Sequence, residues 1–221
     1  MTVALPEIGF LSQASDLLRQ VMSEQASRID LVPGEVLIEQ GQLGDELFAI
    51  VEGAIEFSVV SADGRKLALD LMGPGAVFGE IALFDPGPRT ATATAIKPTR
   101  VCRVRRGDVL AQLQRHPELA IDMIRLAGQR MRWMNSQLNE QVFLPMRSRL
   151  ARKLLYLSDP GRDGRIALSQ AELAEFVGAT REAVSKALAT WKRQGLVDVG
   201  RGEITILDRA ALETLADTEL L

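Results

Sequence analysis

Between about Asp30 and Arg106 the apolar residues fall in short or alternating runs punctuated by glycine: EVLIEQG, ELFAIVEG, IEFSVVSADG, KLALDLMGPG, TATATAIKP and RVCRVRRG. Period-two alternation over four to eight residues is what a half-buried strand requires, so this stretch predicts many short strands. Ala62-Asp63-Gly64 supplies a hairpin turn, and Gly34, Gly41, Gly53 and Gly75 stand where turns need a permissive backbone. A β-barrel or roll is the expected assembly.

After His116-Pro117 the period changes. Ala120, Ile124, Ala127, Met131, Met134 and Leu138 recur at alternating spacings of four and three, the repeat of a long amphipathic helix. Leu119, Met123 and Leu126 form an adjacent stripe, so this helix has two surfaces to bury where a surface helix has one. One stripe is expected to pack on the β-domain. The other is close to a coiled-coil seam and suits the same helix of a second subunit, the alternative being that both pack within one chain. Pro145 breaks the helix, which makes Phe143-Leu144-Pro145 the expected hinge. A helical second domain follows, opening with a helix from Arg147 to Leu157 that carries Leu150, Leu154 and Leu157 on one side, then a turn-rich loop from Asp159 to Gly164.

Ser169-Gln170-Ala171-Glu172 has the form of a capping box, in which hydroxyl and carboxylate satisfy free amides at a helix start. Gly178 ends that helix, Thr180 caps the next, and the second helix runs from Arg181 to about Gln194 before Gly195. Two short helices joined by a glycine-containing turn make a helix-turn-helix candidate. Val184, Leu188 and Trp191 form its buried side and leave Arg181, Glu182, Ser185 and Lys186 on the other. Arginine and lysine donate to guanine, glutamate accepts from cytosine, and serine reaches a base or a phosphate. LVDV and EITIL, joined through Gly200-Arg201-Gly202, supply a wing whose Arg201 would meet phosphate. The candidate DNA-contacting set is Ser169, Gln170, Thr180, Arg181, Glu182, Ser185, Lys186 and Arg201.

Composition narrows the classes. The chain has 221 residues, 47% hydrophobic and 25% charged, enough for two modest domains and far from the signature of disorder. No apolar run approaches the roughly 18 residues that span a bilayer, and no basic segment followed by an apolar stretch opens the sequence, so a cytoplasmic protein with no membrane partner is expected. One cysteine, Cys102, rules out an intrachain disulfide and a multi-cysteine metal or iron–sulfur site within one chain. Cys102 reads as core packing, and the lone His116 as a cap or surface residue. A single histidine remote from any nucleophile and scattered carboxylates argue against an enzyme, a phosphodiesterase being the one enzymatic alternative worth naming. The net charge of -3 carries no general signal for nucleic acid, because a small DNA-reading surface does not need a basic protein.

The segment FGEIALFDPGPRTATATA, from Phe78, places a glycine, an acid, a short helix-like stretch and an Arg-Thr pair together. Gly79 allows close backbone approach, the start of a helical turn offers free amides to an anion, Arg89 pairs bidentately with phosphate, and Thr90 adds a hydroxyl. Glu80 suits a sugar hydroxyl. One cation and one acceptor fit a cyclic phosphodiester on a ribose.

This segment resembles the phosphate-binding cassette of cyclic-nucleotide-binding domains, and nearly the whole chain is similar to the CRP/FNR transcription regulators. The TREAVSK run from Thr180 to Lys186 likewise resembles the family's recognition helix, matching at Arg181, Glu182 and Lys186. The resemblance implies an α+β chain: an N-terminal cyclic-nucleotide-binding β-roll (a double-stranded β-helix or jelly roll) over residues 1–116, a dimerisation helix and hinge over 117–144, and a C-terminal winged helix-turn-helix over 145–221. The implied ligand set is Phe78, Gly79, Glu80, Ile81, Ala82, Arg89, Thr90 and Ala91, with Asn135 and Ser136 reaching the base. The implied effector is cyclic AMP, with cyclic GMP as the alternative. The implied partners are a palindromic double-stranded operator, a second copy of the chain and RNA polymerase.

Two positions depart from the pattern. The Thr-Ser pair that holds adenine in the enterobacterial cyclic AMP receptor is matched by Met134-Asn135, and an asparagine there resembles actinobacterial cyclic AMP receptors. Threonine after the cassette arginine is also similar to cyclic GMP domains. Lys186 stands where many relatives carry arginine, which implies a single hydrogen bond to guanine in place of two. A regulator with a vestigial pocket that binds DNA constitutively is the third reading of this architecture.

Overall fold

The glycine-punctuated runs become a pair of antiparallel sheets. The computed structural model describes residues 5–158 and 164–217. One sheet has the order β1-β8-β3-β6, from β1 (Ser27–Leu31), β8 (Thr99–Arg105), β3 (Glu46–Glu52) and β6 (Val77–Phe78). The other has the order β2-β7-β4-β5, from β2 (Val36–Ile38), β7 (Thr92–Ala95), β4 (Ile55–Val60) and β5 (Lys66–Met72). The hairpin joining β4 and β5 turns where Ala62-Asp63-Gly64 predicts it, with Gly64 at φ 80° and its N–H donating to Ser61 O at 2.9 Å.

In the first sheet, strands β3, β6 and β8 are buried on both faces while the edge strand β1 is largely exposed, and the buried side chains divide by parity. Phe48, Ile50, Phe78 and Val101 point into a core shared with Ile55, Ala93 and Ala95 of the second sheet. Leu47, Ala49, Val77, Cys102 and Val104 point the other way, into a core closed by helices. That double burial is why ELFAIV reads as a continuous apolar run. The covering helices are α1 (Gly9–Gln13), α2 (Asp16–Gln25), α3 (Ile81–Phe84), α4 (Arg106–Arg115) and the start of α5 (Leu119–Phe143). Leu119, Met123 and Leu126, the inner stripe of α5, are buried there. Asp122, almost fully buried on α5, accepts from the backbone and hydroxyl of Ser15, the residue that caps α2, and from Arg125 at 3.1 Å. The outer stripe is open, with Ile124 66%, Met131 61% and Leu138 61% exposed.

One expectation changes. The RVCRVRRG strand stops at Arg105, and Arg106-Gly107 begin α4. Arg105 pairs with Glu46, the first residue of β3, and the Arg106 N–H still donates to Asp45 O at 2.7 Å as the chain turns into α4, where Val109 and Leu113 at helical spacing reach the core. Helices α1 and α2 precede the strand-patterned stretch and α4 follows it, so the strands expected between Asp30 and Arg106 are flanked by helices that the strand pattern does not address.

Internal contacts divide the chain into two units, one running to Val59 and from Leu69 to Trp133, the other made of Val60–Ala68 and the chain from Met134. In the second, Pro145 sits at the N-cap of α6 (Met146–Leu157) with φ −56° and ψ 149°, a conformation that interrupts the helical path after Phe143. Then follow β9 (Arg165–Ile166), α7 (Gln170–Val177), α8 (Arg181–Arg193), β10 (Val197–Val199), β11 (Ile204–Ile206) and α9 (Arg209–Ala216). The three strands form one antiparallel sheet of order β10-β11-β9. Of the Asp159–Gly164 loop only Gly164 lies within the described residues. His116 closes α4, its N–H donating to Gln112 O at 2.8 Å.

Cys102 is wholly buried, and burial pushes its thiol from 9.0 up to about 11. The neutral thiol is therefore favoured by folding, a contribution present below pH 9 and lost as pH rises from 9 to about 11. A thiol-specific disulfide reagent at pH 8 is expected to label the protein only in denaturant. Rapid labelling of the native protein would contradict this burial.

Candidate functional site

The turn after β6 is built around two arginines. Gly79 leaves the strand at φ 84°, and a Cβ there would stand 2.7 Å from Glu46 O and 3.0 Å from Arg89 Nη1. Arg89 is 8% exposed. Its Nη1 donates to Gly79 O at 3.3 Å, and its Nη2 donates to Glu46 O at 3.0 Å and meets Glu46 Oε2 at 3.4 Å. The guanidinium carbon lies 5.8 Å from the centroid of the Phe48 ring, which is itself stacked on Phe78 at 5.3 Å. The Arg89 backbone is held at both ends, its N–H donating to Gln42 O and its carbonyl accepting from Gly41 N, each at 2.8 Å. Gly44 makes room for the side chain: a Cβ there would fall 2.5 Å from Arg89 Nε. Beside the guanidinium lies a cavity of about 290 Å³ bordered by the Gln42–Glu46 loop, Phe48 and Arg103.

Glu80, 4% exposed, accepts from Arg130 Nε at 3.0 Å. Arg130 is on α5, its Nη2 is 3.7 Å from Met72 Sδ, and its guanidinium carbon lies 5.4 Å from the Trp133 ring centroid. A buried carboxylate is tolerated only with such a partner, and a charge-assisted bond in this setting is strong because little water competes. Glu80 also accepts through its carbonyl from the N–H groups of Leu83 and Phe84, which closes the single turn of α3.

The structure thus brings Phe78, Gly79, Glu80 and Arg89 together around one turn. Ala82 is buried beneath it, Ala91 is half-buried, and Ile81 and Thr90 are exposed at its surface. Asn135 and Ser136 are exposed on the part of α5 that belongs to the second unit. Sequence reasoning missed Glu46, Gly44 and Arg130. For Arg130 a signal existed: it continues the spacing of Leu119, Met123 and Leu126, which places a charge at the end of a buried stripe.

In the second unit, Ser169 accepts from Glu172 N at 3.2 Å while Glu172 accepts from Ser169 N at 2.7 Å, completing the capping box of α7. Gly178 ends α7 in the left-handed conformation at φ 63°, and Thr180 caps α8 by accepting from Ala183 N at 3.2 Å. Val184, Leu188 and Trp191 are buried. Arg181, Glu182 and Lys186 are exposed, as are Thr180 and, at the β10–β11 turn, Arg201, whereas Ser185, Ser169 and Gln170 are half-buried. Ser185 is therefore less open than the helical spacing suggests, because it neighbours the Val184–Leu188 side of the helix.

Residues 28–116 match the cyclic nucleotide-binding domain family, and residues 148–215 match the Crp-like helix-turn-helix domain family. The chain is 32% identical over 198 residues to the CRP-like cAMP-activated global transcriptional regulator of Mycobacterium tuberculosis, spanning 86% of this chain and 88% of that one. The chain belongs to the CRP/FNR family of transcription regulators. The cyclic AMP receptor protein of Thermus thermophilus is 33% identical over 183 residues, covering 83% and 85%. A solved CRP/FNR-family regulator from Thermus thermophilus superimposes with a TM-score of 0.76 at 28% identity, covering 87% of this chain and 99% of the other. The protein is accordingly a DNA-binding transcription regulator that carries a cyclic-nucleotide-binding domain. Its family is non-enzymatic, which sets the phosphodiesterase alternative aside. Among the described residues no helix is long and apolar enough to cross a membrane.

Gly79 is required by both its backbone and its neighbours. Gly79→Ala is expected to destabilise the protein by about 1–3 kcal/mol in urea unfolding. Gly34→Ala, at a similar φ of 86° with open space around it, serves as the control for backbone strain alone. Equal losses in the two variants would mean that the contacts with Glu46 and Arg89 contribute nothing.

Proposed function

We propose that the protein is a homodimeric transcription regulator whose DNA binding responds to cyclic AMP. The observation that carries the reading is a buried arginine, Arg89, gathered with Gly79 and Glu80 around one turn inside a segment that matches the cyclic nucleotide-binding family. Phosphate would take the Arg89 guanidinium and the Thr90 hydroxyl, the ribose would meet Glu80, and Phe78, Ile81, Ala82 and Ala91 would shape the site. Asn135 or Ser136 would read the base. Relatives named for cyclic AMP, at 32% and 33% identity, support that nucleotide over others. The exposed Thr90 hydroxyl beside Arg89 is the observation that favours cyclic GMP as the second reading.

On this reading residues 1–116 form the sensor, 117–144 the dimerisation helix and hinge, and 145–221 the DNA-binding domain of a cytoplasmic protein. A ligand that binds one arrangement of the long helices more tightly shifts the population towards it. Motion about Phe143–Pro145 then sets the recognition helices for half-sites about 34 Å apart in a palindromic operator. Arg181, Glu182, Ser185 and Lys186 would enter the major groove, with Ser169, Gln170, Thr180 and Arg201 on the backbone. RNA polymerase is the further partner that an activator would need.

Calorimetric titration with cyclic AMP and cyclic GMP, followed by operator binding with and without the tighter nucleotide, tests the function. Wild-type protein is expected to bind DNA at least tenfold more tightly with nucleotide, and Arg89→Ala to lose that response. An Arg89→Ala protein with a full response, or wild-type DNA affinity indifferent to either nucleotide, would overturn it.

The dimer has its own test. The outer stripe of α5 presents Ile124, Met131, Met134 and Leu138 to solvent, with Ile121 and Val142 beside it. Met131→Asp is expected to convert a dimer into a monomer in sedimentation equilibrium, since an unpaired charge in an apolar seam is strongly unfavourable. An unchanged dimer would place the interface elsewhere.

A further inference from the structure

The Arg89 guanidinium already has an anion. Its plane is fixed by two neutral carbonyls, those of Gly79 and Glu46, and its charge is met by the Glu46 carboxylate at 3.4 Å. Orientation and neutralisation thus come from different groups, and only the second belongs to a side chain that can move. Arg89 is buried, and a guanidinium withdrawn from water needs a counter-charge whether or not a ligand is present. The Glu46 side chain is more open, and its other oxygen, Oε1, stands 3.8 Å from Arg103 Nη1. Arg103 also borders the cavity beside Arg89, with its Nε anchored on Ser27 Oγ at 3.1 Å.

We propose that Glu46 is a built-in competitor for the cyclic phosphate: its carboxylate occupies Arg89 in the ligand-free protein and passes to Arg103 when the nucleotide binds. The proposal rests on the reading of Arg89 as the phosphate ligand. A phosphodiester brings one negative charge to a site that already holds one, and like charges a few ångströms apart in a partly desolvated cavity repel strongly. The apparent affinity is then the intrinsic affinity reduced by the fraction of protein whose Arg89 is free to receive phosphate. A simple anion gains only the Arg89 contact and cannot offset this, whereas a ligand that also engages Glu80 and the base-reading residues can. Glu46 is therefore a specificity-determining residue, and it biases the regulator towards the unliganded state.

Glu46→Gln removes the charge and keeps the size, the acceptor oxygen and both orienting carbonyls. By calorimetry on the full chain it is expected to bind cyclic AMP and cyclic GMP about tenfold more tightly than wild type. Glu46→Thr, a good strand former at the first residue of β3, is expected to change affinity in the same direction. Arg103→Gln should weaken nucleotide binding several-fold in the wild-type background and have little effect alongside Glu46→Gln, a coupling that a purely structural role for Arg103 would not produce. If wild type binds nucleotide and both Glu46 variants bind it equally or more weakly, the competitor role falls while the effector reading stands. If neither wild type nor Glu46→Gln binds either nucleotide, both fall. Binding by Glu46→Gln alone would support a carboxylate that fully blocks the site. An equal effect of Arg103→Gln in the two backgrounds would overturn the hand-over to Arg103.

Discussion

Two arginines meet the Phe78–Phe84 segment, Arg89 buried and Arg130 half-buried, and a guanidinium drawn out of water has to be answered by acceptors. Everything local follows from that requirement. A single helical turn such as α3 has no stability of its own, because nucleation costs more than one or two hydrogen bonds return. It is held by Glu80, whose carbonyl closes the turn and whose carboxylate is fixed by Arg130. The Gly79 and Glu46 carbonyls aim Arg89, and glycine is required at 79 and 44 because a Cβ at 79 would strike Glu46 O and Arg89 Nη1, and one at 44 would strike the Arg89 guanidinium.

The same constraint sets the long helix. A helix of 25 residues extends over roughly 37 Å, and its inner side must satisfy whatever it meets along the way. Leu119, Met123 and Leu126 meet an apolar core, Asp122 meets the capped start of α2, and Arg130 meets Glu80. Rotating the helix by one residue would take all of these from their partners together, so its register relative to the sensor turn is fixed by polar contacts as well as packing. The outer stripe has no such partners within the described residues, and its exposure is the physical reason for expecting a second copy.

What was legible in the sequence depends on the range of the interaction. The capping box at Ser169, the Gly178 break and the Thr180 cap are made by residues three to five apart, so the helix-turn-helix could be read almost residue by residue. The turn at Gly64 was legible for the same reason. Gly79, Glu80 and Arg89 were legible as a chemical set, but their present partners were not. Glu46 lies 43 positions from Arg89 and Arg130 lies 50 from Glu80, and periodicity carries no information at that separation. The end of β8 was misread because its sequence continues to alternate after its partner strand has ended. The two-residue strand β9 owes its place to pairing with β11 that no local pattern announces, whereas α2 and α9 carried local signals that went unread, the Ser15 and Asp208 caps ahead of apolar residues at helical spacing.

The modest charge of the recognition unit has a consequence for assembly. Helix α8 carries Arg181, Lys186, Lys192 and Arg193 against Glu182, and Lys192 is already engaged by Asp198 at 2.7 Å and Val199 O at 3.1 Å. The caps need not be lost to DNA, because the Ser169 and Thr180 hydroxyl oxygens accept within the protein and keep their own hydrogens to donate. Even so, one chain offers only a few cationic contacts, and electrostatic affinity for DNA scales with the number of phosphates neutralised. Two linked recognition helices turn the second contact into an intramolecular event and raise affinity without any new residue. In a chain of net charge -3, the argument for DNA binding and the argument for a dimer through the outer stripe of α5 are therefore the same argument.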